Sequence, residues 1–192
     1  TVGGAGQILG MMVIYPLLRN KLSNTAIFKT SLIMAITGYM CLLLSCITNL
    51  AHVLPLLCAI GLLVFVSNGM LSVLTTVFLS SSVDYGEMKT GRREESVIFS
   101  MQTFVVKAAS GLAVFMTGIG LDWIHLNGNS EDGIPVAQSA STITGLRCLM
   151  TILPSIGLLV ALVVFQKKFQ LTDTKAEEIA KALSEIKQCS GK

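Results

Sequence analysis

The sequence predicts an all-α integral membrane protein with five transmembrane helices, and two observations support this fold class. Hydrophobic residues make up 52% of the 192 residues, whereas charged residues make up only 13%. A soluble domain of this length has too little interior to bury so much apolar surface. The apolar residues also fall in runs of roughly 20, the length that a helix needs to cross about 30 Å of hydrocarbon. Strands or irregular segments would leave backbone amides unpaired in lipid.

Hydropathy places the five spans in order along residues 1–165. The predicted spans are residues 3–18, 30–48, 53–80, 97–124 and 144–165. The third and fourth exceed the minimum length, so we expect them to tilt or to project beyond the membrane. Residues 166–192 form a cytoplasmic tail, where a capping-box pattern and an apolar stripe predict a short amphipathic helix. The pattern around Thr174, Glu177, Ile179, Leu183 and Ile186 allows this helix to be solvated or to dock beneath the bundle.

Loop charges predict the orientation. Every Lys and Arg of the inter-span loops lies between spans one and two, between spans three and four, or after span five. By the positive-inside rule these loops and the C-terminus are cytoplasmic, and Asn129 and Glu131 are on the outer side. The chain starts without Met and with apolar sequence, and it shows no basic signal-peptide region. We therefore expect the numbering to begin inside a longer protein.

No catalytic chemistry emerges from the sequence. We find no nucleophile, base and orienter constellation, no Gly-rich phosphate loop and no metal motif. The cysteines at 41, 46, 58 and 148 lie in apolar spans without ligand spacing, which predicts small buried hydrophobic residues. The net charge of +3 reflects the loop bias and forms no nucleic-acid patch. The sequence therefore predicts neither an enzyme nor a cofactor site.

Lys107 is the unusual residue of the fourth span. An ionisable group at bilayer depth costs about 3 kcal/mol or more, so it faces protein or water by default. The helix rises about 16 Å between Ser96 and Lys107, which is too deep for easy snorkelling to the membrane surface. Polar residues share its stripe at helical spacing. They are Ser96, Ser100, Thr103, Lys107, Ser110 and Thr117.

The third span has a matching polar stripe. Its members are Asn68, Ser72, Thr75 and Ser82. Such hydroxyls can simply join helices, but a lysine is too costly for that purpose alone. The two stripes predict the wall of an aqueous or substrate-filled cavity, and the alternative is a statically paired lysine. We take Ser100, Ser110, Asn68, Ser72 and Thr75 as cavity-lining candidates.

The stretch VDYGEMKTGRREESVIFSMQTFVVKAASG, residues 83–111, carries a family resemblance. It resembles the glycoside–pentoside–hexuronide:cation symporters, the melibiose-carrier-like branch of the major facilitator superfamily. Their pattern is an Asp-Tyr-Gly-Glu loop, a basic residue, Glu-Ser, Gln-Thr and a lysine in the penultimate helix. The matching positions are Asp84, Tyr85, Gly86, Glu87, Arg93, Glu95, Ser96, Gln102, Thr103 and Lys107. The five spans then resemble helices 8 to 12 of a twelve-helix carrier.

The resemblance implies roles for several of these residues. Lys107 would lie at the central cavity, where sugar recognition and cation coupling meet, with Gln102 and Thr103 beside it. Asp84, Glu87 and Arg93 would belong to a cytoplasmic charge network that holds one alternating-access state closed. Members often carry another Asp at the position of Ser81, so this network is weaker or differently connected here.

The resemblance also implies the partners and the driving force. The intact protein would couple uptake of a sugar or glycoside to a Na⁺ or H⁺ gradient in the cell (inner) membrane. The cation-binding carboxylates and most sugar ligands would come from an N-terminal half that this chain lacks. Two alternatives stay open: a non-transporting membrane sensor or scaffold on a carrier-like bundle, and a major-facilitator carrier of another branch. A drug-efflux carrier fits the hydropathy but not the residue 83–111 motif.

Overall fold

The computed structural model describes residues 2–48, 53–124 and 139–168, together with 175–176, 178–179 and 181–182. The described residues form helices and their connections. The elements are α1 (Val2–Leu9), a π-helical turn (Gly10–Ile14), α2 (Tyr15–Arg19), α3 (Asn24–Ile47), α4 (Leu54–Thr90), α5 (Glu95–Trp123) and α6 (Ala140–Lys168). Four of them, α3 to α6, are long and apolar enough to cross a membrane. The all-helical membrane fold predicted from the sequence is confirmed.

The first predicted span is helical from Val2 to Arg19, but it contains a widened turn. In this π-helical turn the Tyr15 N–H donates to the carbonyl of Gly10, five residues earlier. Pro16 follows immediately, and a proline has no N–H and clashes with the carbonyl of the fourth residue before it. The π-helical turn therefore lies where an ordinary α-helical turn would be strained.

The long helices begin and end at recognisable signals. The Ser23 hydroxyl accepts a hydrogen bond of 3.2 Å from the Ala26 N–H and so caps the start of α3. Pro55 lies in the first turn of α4, where its missing N–H costs nothing. At the other end, Gly91 has φ 70°, and its N–H bonds to the Glu87 carbonyl. The 37 residues of α4 span about 55 Å, so this helix projects beyond the hydrocarbon.

The core lies between the first span, α3, α4 and α6. Ile27, Met70 and Leu74 are fully buried at its centre. Beside them the rings of Phe28, Phe78 and Phe165 join α3, α4 and α6, with centroids 4.3 to 5.8 Å apart. In contrast, α5 contributes only Gly120 to the buried residues. α5 therefore lies at the edge of the bundle.

Glycines bring the first span and α4 into backbone contact. A Cβ at Gly69 would collide with the backbone of Gln7, and a Cβ at Gly10 would collide with the backbone of Val66. Close approach through small residues is a common means of joining membrane helices, because lipid offers no hydrophobic driving force.

The helices reach beyond most of the predicted spans. The second span was predicted from residue 30, whereas α3 begins at Asn24. The third was predicted to end at residue 80, whereas α4 ends at Thr90. Hydropathy misses these ends because they are polar but still helical. In the tail, Thr174, Glu177, Leu183 and Ile186 lie outside the described residues, while Ile179 is helical and 8% exposed.

Candidate functional site

The polar stripe of α5 lies on an exposed face of that helix. Ser100, Thr103, Lys107 and Ser110 are all exposed. Within the described part of the chain, Lys107 has no hydrogen-bond or ion-pair partner. The helix rises about 18 Å from Glu95 to Lys107, so the amine lies deep in the span. An ammonium without a described partner therefore lies on a helix that is exposed on all sides from residue 103 to residue 119.

The hydroxyls of this stripe bond to their own helix. The donors at Thr103, Ser110 and Thr117 bond to the carbonyl four residues earlier, at 2.8 to 2.9 Å, and Ser100 bonds to Val97 at 2.9 Å. Back-bonding of this kind satisfies the O–H donor but leaves the oxygen able to accept another hydrogen bond. The stripe can therefore meet water or a polyhydroxylated ligand without breaking helix hydrogen bonds.

A groove of about 480 Å³ separates α4 from α5. Thr75 lines it from α4 and Gln102 lines it from α5, while the remaining walls are apolar. The other wall residues are Leu79, Val97, Ile98, Met101, Val105 and Val106. Lys107 and Thr103 are not among the described lining residues. The groove therefore brings Thr75 and Gln102 together, whereas Lys107 and the α5 hydroxyls belong to another face.

The α4 stripe is less exposed than the α5 stripe. Asn68 is half-buried beside Gly69, whereas Ser72 and Thr75 are exposed. The Thr75 hydroxyl donates to the Leu71 carbonyl at 2.8 Å. The sequence predicted both stripes as walls of one cavity; Thr75 of the α4 stripe lines the α4–α5 groove, whereas no member of the α5 stripe is among its described lining residues. Helical periodicity identifies each stripe but not the rotation of one helix against its neighbour.

Arg93 joins the end of α4 to the start of α5. Its Nη1 donates to Glu87 Oε2 at 2.9 Å and to Asp84 Oδ1 at 3.3 Å, and its Nε donates to Glu95 Oε2 at 3.1 Å. The turn at Gly91 brings the guanidinium back against the last turns of α4. We call Arg93 with these three carboxylates the Arg93 cluster. The sequence placed Glu95 in the motif but did not predict it as an Arg93 partner.

The cluster keeps its central charge. The hydrogen bond that Arg93 donates to Glu87, followed by the one that it donates to Glu95, raises the pKa of Arg93 above its usual value. Its side chain is 44% exposed, while that of Glu87 is only 13% exposed. Partly exposed pairs of this kind contribute little to stability and are screened by salt. The cluster is thus better suited to a reversible contact than to holding the fold together.

The remaining candidates, metal ligands and cysteines, form neither a metal site nor a disulfide among the described residues. Within the described residues, no group of three or more His, Cys, Asp or Glu side chains could hold a metal ion. The four described cysteines are free thiols. The prediction that they are buried is wrong for Cys41, which is exposed, while Cys46, Cys58 and Cys148 are intermediate. Apolar side chains of a membrane helix are not driven inward, because lipid is as apolar as the core.

Fold and sites together define a polytopic helical membrane protein with a charged group at depth and a charge cluster at one membrane end. The chain matches the family described as MFS/sugar transport protein over residues 1–173. It belongs to that family. The match confirms the resemblance to sugar carriers found in the sequence.

Three relatives show where the similarity lies. The uncharacterized symporter YjmB of Bacillus subtilis is 32% identical over 57% of this chain and 23% of its own length. The lactose permease of Lactobacillus delbrueckii is 30% identical over 62% of this chain and 18% of its own. The inner membrane symporter YicJ of Escherichia coli is 26% identical over 95% of this chain and 38% of its own. The matched chain thus spans well under half the length of these relatives.

Proposed function

We propose that the intact protein is a secondary transporter that couples movement of a sugar or glycoside to a Na⁺ or H⁺ gradient by alternating access. The observation that carries this proposal is Lys107, an exposed ammonium without a described partner on the free face of α5. A charge at that depth has a use only where water, substrate or another part of the protein meets it.

The sugar class rests on the stripe and on the relatives. The hydroxyls of Ser100, Thr103 and Ser110 are satisfied by their own helix and can still accept hydrogen bonds from a sugar. The relatives carry the names lactose permease and symporter. Gln102 and Thr75 add amide and hydroxyl groups in the α4–α5 groove. The α5 stripe with Lys107 and the α4–α5 groove thus present neutral polar groups on two separate faces, and both suit a sugar or glycoside.

The coupling cation needs ligands from elsewhere in the intact protein. In the four long helices, the carboxylates lie near helix ends, at Asp84, Glu87, Glu95 and Asp122. No carboxylate lies at mid-depth in those described helices. We propose that an N-terminal half supplies the cation-binding carboxylates, and that it faces the α5 stripe. Lys107 would then compete with the cation for the same negative charges.

The Arg93 cluster is the proposed cytoplasmic gate. Its guanidinium is charged at every physiological pH, and its carboxylate partners belong to two different helices. Rocking of the two halves around a midplane site would expose and shield such a cluster in turn. Ion pairs that form in one state and hydrate in the other bias a two-state equilibrium. Asp84 and Glu87 would hold α4, and Arg93 would connect them to the start of α5.

Uptake by the full-length protein tests the proposal. We expect proteoliposomes to accumulate lactose or another glycoside when a Na⁺ or H⁺ gradient is imposed, and to lose this accumulation when an ionophore collapses the gradient. Uptake that is indifferent to both gradients would reject coupling.

Cysteine accessibility separates a carrier from a scaffold. Cysteines at Ser100, Thr103 and Ser110 should change their labelling rate when sugar or cation is added, because a transport cavity opens and closes. Leu112, which is exposed on α5 but belongs to neither the polar stripe nor the described lining of the α4–α5 groove, provides the matched control. Uniform protection at all three stripe positions would favour a non-transporting sensor or scaffold.

A further inference from the structure

A second pocket, of about 300 Å³, lies between α3 and α6. It is at the end of the bundle opposite to the Arg93 cluster, because α3 ends there and α6 begins there. Its described walls are Leu43, Cys46, Ile47, Thr144, Arg147 and Cys148. Apart from Arg147 and Thr144, these walls are aliphatic groups and thiols.

Arg147 brings an uncompensated positive charge to this pocket. Its guanidinium has no hydrogen-bond or ion-pair partner in the described part of the chain, and Asp122 near the end of α5 does not pair with it there. It lies six residues, or about 9 Å, into the apolar span Ser141–Lys168. Arginine at such a depth is costly unless an anion or water meets it.

We propose that this pocket binds an anionic phospholipid, with Arg147 on the phosphate and the apolar α3–α6 walls beside an acyl chain. A guanidinium presents a planar fork of donors that fits phosphate oxygens in a bidentate way. Arg147 lies two turns after the start of α6, from which its long side chain can extend to the level of the lipid phosphates. Leu43 and Ile47 continue the pocket as an apolar surface, which suits a chain and would disfavour a hydrated solute. The site is independent of the proposed transport function.

The pocket contains its own reporters. Cys46 and Cys148 are free thiols that line it from α3 and α6. Cys58 is a free thiol near the same membrane end, in a different pocket formed with Leu54 and Phe65. A lipid bound at Arg147 should shield the first two thiols and leave Cys58 unchanged.

The test compares the full-length protein in nanodiscs of phosphatidylglycerol and of phosphatidylcholine. Alkylation of each cysteine by N-ethylmaleimide is followed by peptide mass spectrometry. We expect Cys46 and Cys148 to react up to about fivefold more slowly in phosphatidylglycerol, since one basic residue strengthens binding to an anionic surface by about that factor. Arg147→Gln should remove the difference, whereas Arg147→Lys should keep part of it.

Three results would overturn the proposal. Equal rates in the two lipids would show that no anionic lipid is held, and protection that persists in Arg147→Gln would show that the guanidinium is not its anchor. Equal protection by inorganic phosphate in phosphatidylcholine would identify a small-anion site instead. An unchanged Cys58 rate verifies folding of each variant. If Arg147→Gln fails to insert, Arg147→Lys and a series of wild-type nanodiscs with increasing phosphatidylglycerol are compared instead. Alkylation rates of Cys46 and Cys148 that do not change with the phosphatidylglycerol fraction would reject the site.

Discussion

The Arg93 guanidinium donates its shortest hydrogen bond, 2.9 Å, to Glu87, which is also the least exposed of its three carboxylate partners. Both residues lie at one end of the bundle, Glu87 in the last turns of α4 and Arg93 in the connection to α5. The pair therefore ties α4 to the connection, and the contact of Arg93 with Glu95 extends it to the start of α5. The Arg93 side chain is 44% exposed, so water can compete for the contact.

Under the proposed gate role of the Arg93 cluster, weakening this pair should open the proposed cytoplasmic side of the intact protein. We expect Glu87→Gln and Arg93→Gln to speed labelling of a cytoplasmic-side cysteine probe and to slow sugar accumulation, because the closed state loses its charge contacts. Asp84→Asn should have a smaller effect, since its oxygen lies 3.3 Å from Nη1 and its side chain is more exposed. High salt should reduce the differences between the variants and the wild type.

Glu94→Gln is the matched control for the gate. Glu94 adjoins Arg93 but forms no ion pair within the described residues. Replacing Glu94 by Gln changes the net charge of the loop but keeps Arg93 and its three carboxylate partners. Labelling that increases equally in Glu94→Gln and Glu87→Gln would contradict a specific gate.

Lys107→Ala should remove most of the gradient-driven accumulation but leave the amount of protein in the membrane unchanged. Because Lys107 has no described partner, its truncation leaves no buried charge behind, so membrane abundance should stay normal. We expect gradient-driven accumulation to fall by about 5- to 150-fold, the change in affinity that typical coupling free energies produce. Sugar accumulation and membrane abundance are measured on the same cells.

Lys107→Arg separates a mechanistic lysine from a structural one. A planar, weakly hydrated guanidinium does not replace a compact ammonium well, so Arg should rescue little accumulation. A statically paired lysine would instead give loss of protein in the Ala variant and recovery in the Arg variant. Normal coupled uptake by Lys107→Ala would remove this residue from the mechanism.

Gly69→Ala should destabilise the bundle. The added methyl group meets the backbone of Gln7, which cannot move aside as a flexible side chain could, so α1 and α4 must separate. Overpacking of this kind costs about 1–3 kcal/mol. Gly61→Ala is the matched control on the same helix, where the new Cβ meets open space. Thermal unfolding in detergent, followed by size-exclusion chromatography, should rank Gly69→Ala below Gly61→Ala; equal stabilities would argue against the close approach.

The loop charges predict opposite sidedness for Asn129 and Lys168. In a cysteine-free background, Lys168→Cys should react only with reagent that reaches the cytoplasm, and Asn129→Cys only with reagent added outside. The reason is the excess of Lys and Arg in the loop of Arg92 and after α6. Labelling from the same side at both positions would disprove the assignment.

Much of the site could be found in the sequence because its signals are local. Lys107 stands out in an apolar run, and the spacing of Ser100, Thr103 and Ser110 reports a shared helix face. The residue 83–111 motif joins Asp84 and Glu87 to Arg93 across a short turn, and their contact in the structure needs only that turn. Glu95 was missed as a partner, although its place two residues after Arg93 in the sequence was a usable signal.

The sequence by itself determined the helical membrane class, the family and the place of Lys107 along its apolar helix, because hydropathy, motif spacing and helical rise are all properties of single segments. Only the tertiary structure decided how the helices are rotated against each other. It placed Thr75 and Gln102 in the α4–α5 groove, left Lys107 outside the described lining of that groove, and placed Arg147 in one pocket with Cys46 and Cys148. In lipid, apolar faces are equivalent whether they meet a neighbour or an acyl chain, so hydropathy carries no signal for that rotation. Contacts at small residues, such as Gly69 of α4 against the Gln7 backbone of α1, set the rotation of the helices instead, and they form only when the helices pack.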